Sequence, residues 1–203
     1  MMKILIATQN KGKVNEFQSM FKEFGIEVLS LLDIEDCPEV EETGTTFEQN
    51  AILKAETIST RMNIPVIADD SGLEIDALEG RPGVYSARYA GSQKSDEQNM
   101  DKVLDELKQV AQPNRTARFV CALAFARPEC ETFVIRGECE GEILLERRGS
   151  EGFGYDPIFF LPHLNRSMAE LSKEEKNKIS HRALALRKLK DYISEEDMLW
   201  QKP

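Results

Sequence analysis

Short apolar runs alternate along the chain with stretches of helical periodicity. Residues 3–7 and 119–126 are nearly continuous apolar runs, which is typical of buried strands. Over residues 14–24 and 47–62, apolar side chains recur every three or four positions, the spacing that buries one face of a helix. The opening order of strand, helix and strand predicts an α/β fold.

The same pattern predicts the remaining elements. Residues 132–143 form one strand, or two strands broken at Gly137 or Gly141. The other predicted elements are strands over residues 26–32 and 65–68, and helices over residues 96–112, after Ser172 and after Ser180.

Two helix starts have the spacing of a capping box, Thr46 with Gln49 and Ser172 with Glu175. In such a box the hydroxyl accepts a hydrogen bond from the third helical amide, and the later side chain reaches back to the N-cap amide. We therefore expect both helices to begin directly after these hydroxyl residues.

The chain has 203 residues, of which 41% are hydrophobic, enough to fill the core of a single domain over residues 1–203. Its formal net charge is −10, and no cluster of lysine and arginine residues is present. Proteins that bind nucleic-acid polymers or anionic membranes usually carry such a cluster, so both partners are disfavoured. A small anionic substrate stays compatible, because a few cations in one site outweigh distant charges.

The four cysteines form no C-x-x-C pair, which disfavours a zinc ribbon. Cys121 and Cys139 lie in apolar or strand-like runs and are expected to be reduced core residues, as in cytosolic proteins. The apolar run near Met1 is too short for a signal peptide or a membrane span. These features predict a cytoplasmic protein.

A polar segment, residues 8–13, connects the first predicted strand to the first helix. A helix start offers N–H groups and the positive end of the helix dipole, and Lys11 and Lys13 add positive charge. The segment could therefore cradle a phosphate, although it lacks the earlier glycine and the hydroxyl residue of a Walker A loop. An ordinary solvated loop explains the same residues.

Asp69, Asp70, Ser71 and Gly72 follow a predicted buried strand. We expect a turn here, with Gly72 at positive φ, at the edge of the sheet where α/β proteins usually bind ligands. Adjacent carboxylates repel each other unless a cation lies between or beside them, and Mg²⁺ prefers such oxygen ligands. A plain Asx turn is the alternative.

Two further segments combine polar groups with turn-forming residues. Glu39, Glu41 and Glu42 precede Gly44 and could supply a second metal ligand, or form a solvated acidic face. Residues 152–157 frame aromatic rings with glycines; such rings can stack on a flat base, or simply pack within the loop. The possible hydrogen-bond donors that follow are Lys176, His181 and Arg182.

Together these segments resemble one family, the inosine/xanthosine triphosphate pyrophosphatases, which act on non-standard purine nucleotides. The matching segments occur in the family's order and span residues 7–182, nearly the whole chain. They are residues 7–13 (ATQNKGK), 41–47 (EETGTTF), 68–73 (ADDSGL), 82–91 (PGVYSARYAG), 152–157 (GFGYDP) and 180–182 (SHR).

The resemblance implies an elongated mixed β-sheet flanked by helices, a central substrate cleft between two lobes, and a homodimer. It also implies Mg²⁺-dependent hydrolysis of a purine nucleoside triphosphate to the monophosphate and pyrophosphate. Asp70 matches the family's proton acceptor and, with Glu42, its metal-binding carboxylates. The matching substrate-binding positions are Thr8, Gln9, Asn10, Lys11, Gly12, Lys13, Ser71, Phe153, Gly154, Tyr155, Asp156, Lys176, His181 and Arg182.

The chain departs from the family pattern at Gln49, where glutamate is common, at residues 150–151 and at residues 165–167, but no matched catalytic position is lost. Two other functions fit the same residues. One is a pyrophosphatase of pyrimidine or other modified nucleotides, and the other is a regulatory protein that binds a nucleotide without hydrolysing it.

Overall fold

The computed structural model describes residues 3–8, 10–22, 27–34, 40–112 and 114–196. The helices are α1 (Lys11–Lys22), α2 (Phe47–Met62), α3 (Asp96–Glu106), α4 (Lys173–Ile179) and α5 (His181–Glu196). The strands are β1 (Lys3–Ile6), β2 (Glu27–Ser30), β3 (Val66–Ile75), β4 (Thr116–Ala126), β5 (Phe133–Ile143), β6 (Phe159–Leu161) and β7 (Arg166–Ser167).

Seven strands form one sheet in the order β2-β1-β3-β4-β5-β6-β7. β1 pairs in parallel with β2 and with β3, whereas β6 pairs antiparallel with β5 and with β7. This mixed sheet with its helices confirms the predicted α/β class. No helix within the described ranges has the length and apolar content needed to cross a membrane.

The chain divides into two compact units. The first unit comprises Met1–Asp70, Cys121–Gly137 and Arg182–Pro203, and the second comprises Ser71–Val120 and Glu138–His181. The single pyrophosphatase domain expected over residues 1–203, and the cleft between two lobes, stay predictions.

Each unit has its own apolar core. In the first unit, Phe17 of α1 and Leu186 of α5 pack with strand residues such as Ile67. In the second unit, Val103 of α3 packs with strand residues such as Phe159. The helical and strand periodicities of the sequence therefore point the expected side chains inward.

The ends of α3 and β5 differ from the prediction. α3 ends at Glu106 rather than Gln112 because the chain continues in tighter turns, and the carbonyls of Leu107 and Val110 accept hydrogen bonds from Arg115. β5 is a single strand that passes through both of its glycines. At Gly141, a Cβ atom would collide with the Phe159 ring on the neighbouring strand β6, so this glycine permits close strand packing instead of breaking the strand.

The first helix begins earlier than its apolar pattern indicates, at Lys11. The predicted last residue of this helix, Phe24, and the first residue of the next strand, Ile26, lie outside the described residues. The observed part of β2 ends at Ser30, where the chain enters a short 3-10 turn.

Candidate active site

β3 carries two aspartates past the end of its neighbour β1. Ile6, the last residue of β1, pairs with Ile67, so Asp69 and Asp70 lie beyond the carboxyl end of β1. The predicted turn is wrong, because β3 continues through both aspartates and Gly72 has no positive φ. Successive side chains of a strand point to opposite faces, so the two carboxylates have different hydrogen-bond and ion-pair neighbours. Lys54 nevertheless acts electrostatically on both of them. A metal ion between or beside the two carboxylates stays a prediction.

Asp70 is buried and faces α2. Its Oδ2 accepts a hydrogen bond from Asn50 Nδ2 at 3.0 Å, and its Oδ1 lies 4.0 Å from Lys54 Nζ. Lys54 Nζ also donates to Glu42 Oε1 at 2.8 Å. Burial raises the pKa of Asp70 to about 6 against the opposing effect of Lys54, and the negative charge of Glu42 adds to the rise. A carboxyl that titrates near neutral pH is suited to accept a proton.

α2 places its polar residues beside Asp70 from a defined start. The Thr46 hydroxyl accepts a hydrogen bond from the Gln49 amide at 3.2 Å, which confirms the predicted N-cap. The capping box is only half formed, because Gln49 Oε1 accepts from the amide and the hydroxyl of Thr45, one residue before the N-cap. Asn50 and Lys54 follow with the i, i+4 spacing of one helix face.

Asp69 faces the starts of α1 and α5. Its Oδ2 lies 3.0 Å from Lys13 Nζ and 3.5 Å from Arg182 Nη2. Its backbone carbonyl accepts a hydrogen bond from Lys54 Nζ at 2.6 Å. Asp69 is thus a buried anchor for two cations that the resemblance assigns to substrate binding.

The polar segment after β1 contains the N-cap of α1. Asn10 Oδ1 accepts hydrogen bonds from the amides of Gly12 and Lys13 at 2.9 and 3.2 Å, which is N-cap geometry. Residues 11–13 are therefore the first turn of α1 and not part of the loop. A phosphate would have to replace the asparagine oxygen to reach these two amides.

Glu42 and Asp70 suit a hard divalent cation. Both carboxylates lie within 4.0 Å of one Lys54 ammonium nitrogen, so they face a common cationic position. Within the described part of the chain, no group of three or more His, Cys, Asp or Glu side chains is placed to hold a metal ion. Two carboxylates that are completed by substrate phosphates and water are typical ligands of Mg²⁺. The residues therefore fit the expected Mg²⁺.

In the second unit, Asp156 organises the loop that carries Phe153. Asp156 Oδ2 accepts hydrogen bonds from the Phe153 amide at 2.9 Å and from Lys176 Nζ at 2.6 Å. The Lys176 ammonium also lies 4.6 Å from the centre of the Phe153 ring, within cation–π range. Gly152 has a φ of +82°, and a Cβ atom there would strike the Asp156 carboxylate. The Phe153 side chain is 37% exposed, so it can offer a face for stacking.

Three more contacts hold the residues around this loop. Tyr155 donates its hydroxyl to the Ser86 carbonyl at 2.7 Å and packs in the second core, and its contact with substrate stays a prediction. The Gly154 amide donates to Asp96 Oδ2 at 2.7 Å, at the start of α3. The His181 ring is buried and stacks on Phe119, with ring centroids 5.0 Å apart, so it is not a surface histidine.

The predicted site residues divide between the two units. Those of the first unit are Thr8, Asn10, Lys11, Gly12, Lys13, Glu42, Asp70 and Arg182, while Gln9 lies outside the described residues. Those of the second unit are Ser71, Phe153, Gly154, Tyr155, Asp156, Lys176 and His181. Within the first unit, the structure joins Glu42 to Asp70 through Lys54. Within the second, it joins Asp156 to Lys176.

Sequence reasoning missed two polar contacts of these groups, Asn50 and Asp96. Asn50 directly precedes Ala51, which lies on the apolar face of α2. A polar residue at the edge of an apolar helix face is the feature of the sequence that could have indicated a buried hydrogen bond at Asn50. Asp96 looked like an ordinary first-turn acid of α3, and the sequence contains no sign of its contact with Gly154.

The chain is similar to known proteins over nearly its whole length. The "dITP/XTP pyrophosphatase" of Bacillus anthracis is 57% identical over 197 residues, which cover 96% of this chain and 98% of that protein. The protein of the same name from Halalkalibacterium halodurans is 54% identical over 93% of this chain and 97% of its own length. These names confirm the resemblance that the sequence motifs indicate.

Solved structures give the same result. The Staphylococcus aureus Ham1 protein superposes with a TM-score of 0.87 at 47% identity, covering 96% of this chain and 99% of that one. A HAM1 protein from Coxiella burnetii has a TM-score of 0.88 at 41% identity, covering 96% and 100%. The sequence model of the Ham1 family matches residues 4–192. This chain therefore belongs to the Ham1 family.

Proposed function

We propose that the protein hydrolyses non-standard purine nucleoside triphosphates (ITP, dITP and XTP) to the nucleoside monophosphate and pyrophosphate, and so removes them from the nucleotide pool. The relatives described above carry the name of this activity. The structural observation that supports it most directly is the buried Asp70 carboxylate, which lies with Glu42 around one Lys54 ammonium group. Its pKa, raised to about 6 mainly by burial, suits a group that accepts a proton from water.

Asp70 orients a water molecule and accepts its proton. The water oxygen forms a bond to the α-phosphorus, and the bond between this phosphorus and the oxygen that bridges to the β-phosphorus breaks. Pyrophosphate leaves with the electron pair of that bond, and the nucleoside monophosphate keeps the oxygen from water. Asp70 carries the proton until it is passed to solvent.

A triphosphate bears about four negative charges, which must be neutralised before pyrophosphate can leave. Lys13 pairs with Asp69 and Lys54 pairs with Asp70, and these two cations supply part of that charge. When bound, Mg²⁺ would be held by Glu42 and Asp70 and would supply Lewis-acid stabilisation of the phosphate oxygens. The remaining residues of the 8–13 segment and Ser71 contact the triphosphate in this proposal.

Base recognition is assigned to the second-unit loop and to the start of α5. The exposed face of Phe153 stacks on the purine, while Asp156 and Lys176 keep this ring in place. His181 and Arg182 offer donors to the 6-oxo group of hypoxanthine or xanthine. Adenine presents an amino donor at that position, so two donors would face each other. Such a buried mismatch favours the 6-oxo purine over adenine by up to ~10⁴.

Three further properties belong to the proposal. The family resemblance supports dependence on Mg²⁺ and a homodimeric state, and the cysteine pattern together with the short apolar run near Met1 supports a cytoplasmic location.

A substrate panel tests the proposed reaction. We expect pyrophosphate release from ITP, dITP and XTP in the presence of Mg²⁺, little release from ATP, and no release with a chelator. Faster release from pyrimidine or methylated nucleotides would assign the other pyrophosphatase function. Tight nucleotide binding without any pyrophosphate release would assign the regulatory function.

A further inference from the structure

Asn50 links the two carboxylate-bearing segments of the first unit through a single amide group. Its side chain is buried, with the residue 1% exposed, at the second turn of α2. Asn50 Oδ1 accepts a hydrogen bond from the Gly44 amide at 2.7 Å, and Asn50 Nδ2 donates to Asp70 Oδ2 at 3.0 Å. The Gly44 N–H can only donate, so the amide oxygen must face Gly44 and the NH₂ group must face Asp70.

We propose that Asn50 is a positioning residue that sets the orientation of the Asp70 carboxylate and its spacing from Glu42. This inference rests on the proposed pyrophosphatase function, because it deepens the role of the same centre. Asn50 touches neither the substrate nor the reacting atoms in this assignment. It acts through Asp70 and through the backbone that carries Glu42.

The bond to Asp70 distinguishes the two oxygens of that carboxylate. Oδ2 is occupied by the Asn50 donor, whereas Oδ1 is the oxygen on the Lys54 side, 4.0 Å from its ammonium nitrogen. A carboxylate fixed at one oxygen loses the freedom to rotate, which keeps the reacting geometry within the narrow limits that catalysis needs.

The bond to Gly44 fixes the other end of the link. Gly44 follows Glu42 by two positions, so an anchored Gly44 amide restricts where the Glu42 carboxylate can lie. A Cβ atom at position 44 would approach Asn50 Oδ1 to 2.7 Å, which is closer than real Cβ contacts. Glycine at this position therefore allows the close approach on which the link depends.

The test compares Asn50→Ala with Ser59→Ala, a matched control on the same helix. Ser59 is also buried and donates its hydroxyl to the Ile64 carbonyl at 2.7 Å, so its loss removes a buried hydrogen bond far from Asp70 in sequence. For each full-length variant, kcat and KM for dITP, the thermal midpoint, and Mg²⁺ affinity without nucleotide by calorimetry would be measured.

We expect Asn50→Ala to lower kcat and to weaken Mg²⁺ binding, each by about 10- to 100-fold, as loss of an outer partner of a metal ligand usually does. Ser59→Ala should lower the thermal midpoint and leave kcat and Mg²⁺ affinity unchanged. If Asn50→Ala behaves like Ser59→Ala in kcat and Mg²⁺ affinity, the positioning role is overturned.

A second variant keeps the inference testable if Asn50→Ala does not fold. Gly44→Ala retains the asparagine, but its Cβ atom would meet Asn50 Oδ1 at 2.7 Å and Gln49 Cβ at 2.8 Å, so position 44 must move away from Asn50. The variant should therefore reproduce both losses, and normal kcat and Mg²⁺ affinity in a folded Gly44→Ala would overturn the proposal. Failure of the proposed function is distinguishable, because wild-type protein would then release no pyrophosphate from dITP. The Mg²⁺ titrations of the variants would still decide whether Asn50 fixes the orientation of the Asp70 carboxylate and its spacing from Glu42.

Discussion

The carboxyl group of Asp70 is held in surroundings that oppose its charge. Burial is the main cause that raises its pKa from 3.8 to about 6. Between these values the folded protein binds more protons than the unfolded chain, so the free energy of unfolding falls as pH rises through this window. Above about pH 6 the charged carboxylate destabilises the fold by roughly 2 to 3 kcal/mol. Such a destabilising group is retained where activity requires it.

Asp70→Asn should therefore separate activity from stability. Hydrolysis should fall by at least about 100-fold, because an amide cannot accept the proton from water. In chelator, the variant should be more stable than wild type near pH 7 by about 1 to 3 kcal/mol, and the difference should shrink toward pH 4. Urea unfolding of both proteins across this pH range measures the difference. Near-normal turnover of ITP by the variant would contradict the assignment of Asp70.

Arg182 is expected to stabilise the fold in addition to its proposed contact with the base. It is 2% exposed and lies 3.5 Å from the buried Asp69 carboxylate. Arg182→Ala removes one cation from a buried carboxylate, so we expect a loss of about 3 kcal/mol in unfolding free energy. Adding Asp69→Asn to this variant should recover part of the loss. A double-mutant cycle by chemical unfolding checks the coupling, and strictly additive effects of the two substitutions would contradict it.

Local signals identified the helix starts, whereas the course of β3 was not predictable from local residues. Thr46 and Ser172 cap their helices as expected, because a cap depends on hydrogen bonds within a few residues. The segment 69–72 has turn-forming residues but continues as a strand. β3 lies between β1 and β4 in the sheet, and these distant pairings override the local preference.

Thr46→Ala tests whether the start of α2 supports the Asp70 centre. The loss of the N-cap bond should lower the unfolding free energy by about 1 kcal/mol. It should also lower kcat, because the first turns of α2 carry Asn50 and Lys54. Ser95→Ala removes the equivalent cap of α3 and serves as the control, with a similar stability loss and a smaller effect on kcat. Both variants would be assayed at the same interval below their own thermal midpoints. Equal kcat values for Thr46→Ala and Ser95→Ala would argue against a role for the start of α2.

At the scale of the whole molecule, the sequence predicted the fold class and the core faces but not the strand order. The pairing of β1 with β3 brings together residues that are separated by α1, β2 and α2, and apolar periodicity contains no information about such partners. The sequence also contained no sign that Arg115 is buried. Its guanidinium donates to the carbonyls of Leu107, Val110, Ile143 and Leu144.

Arg115→Met should destabilise the protein far more than Arg118→Met. Arg115 is 1% exposed, and its removal leaves buried carbonyls without their donor, each of which costs about 1 kcal/mol or more. Arg118 is partly exposed, and its ion pairs with Asp76 and Glu140 contribute no more than about 1 kcal/mol each. Thermal unfolding of the two variants measures the difference. Equal thermal midpoints would show that Arg115 does not hold the second unit together.

The proposed reaction requires water to attack the α-phosphorus, and isotope labelling measures this directly. Hydrolysis of dITP by the full-length protein with Mg²⁺ would be run in water enriched in oxygen-18, and the products would be analysed by mass spectrometry. We predict that one labelled oxygen appears in the deoxyinosine monophosphate and none in the pyrophosphate. Label in the pyrophosphate, or release of orthophosphate as the first product, would contradict the account.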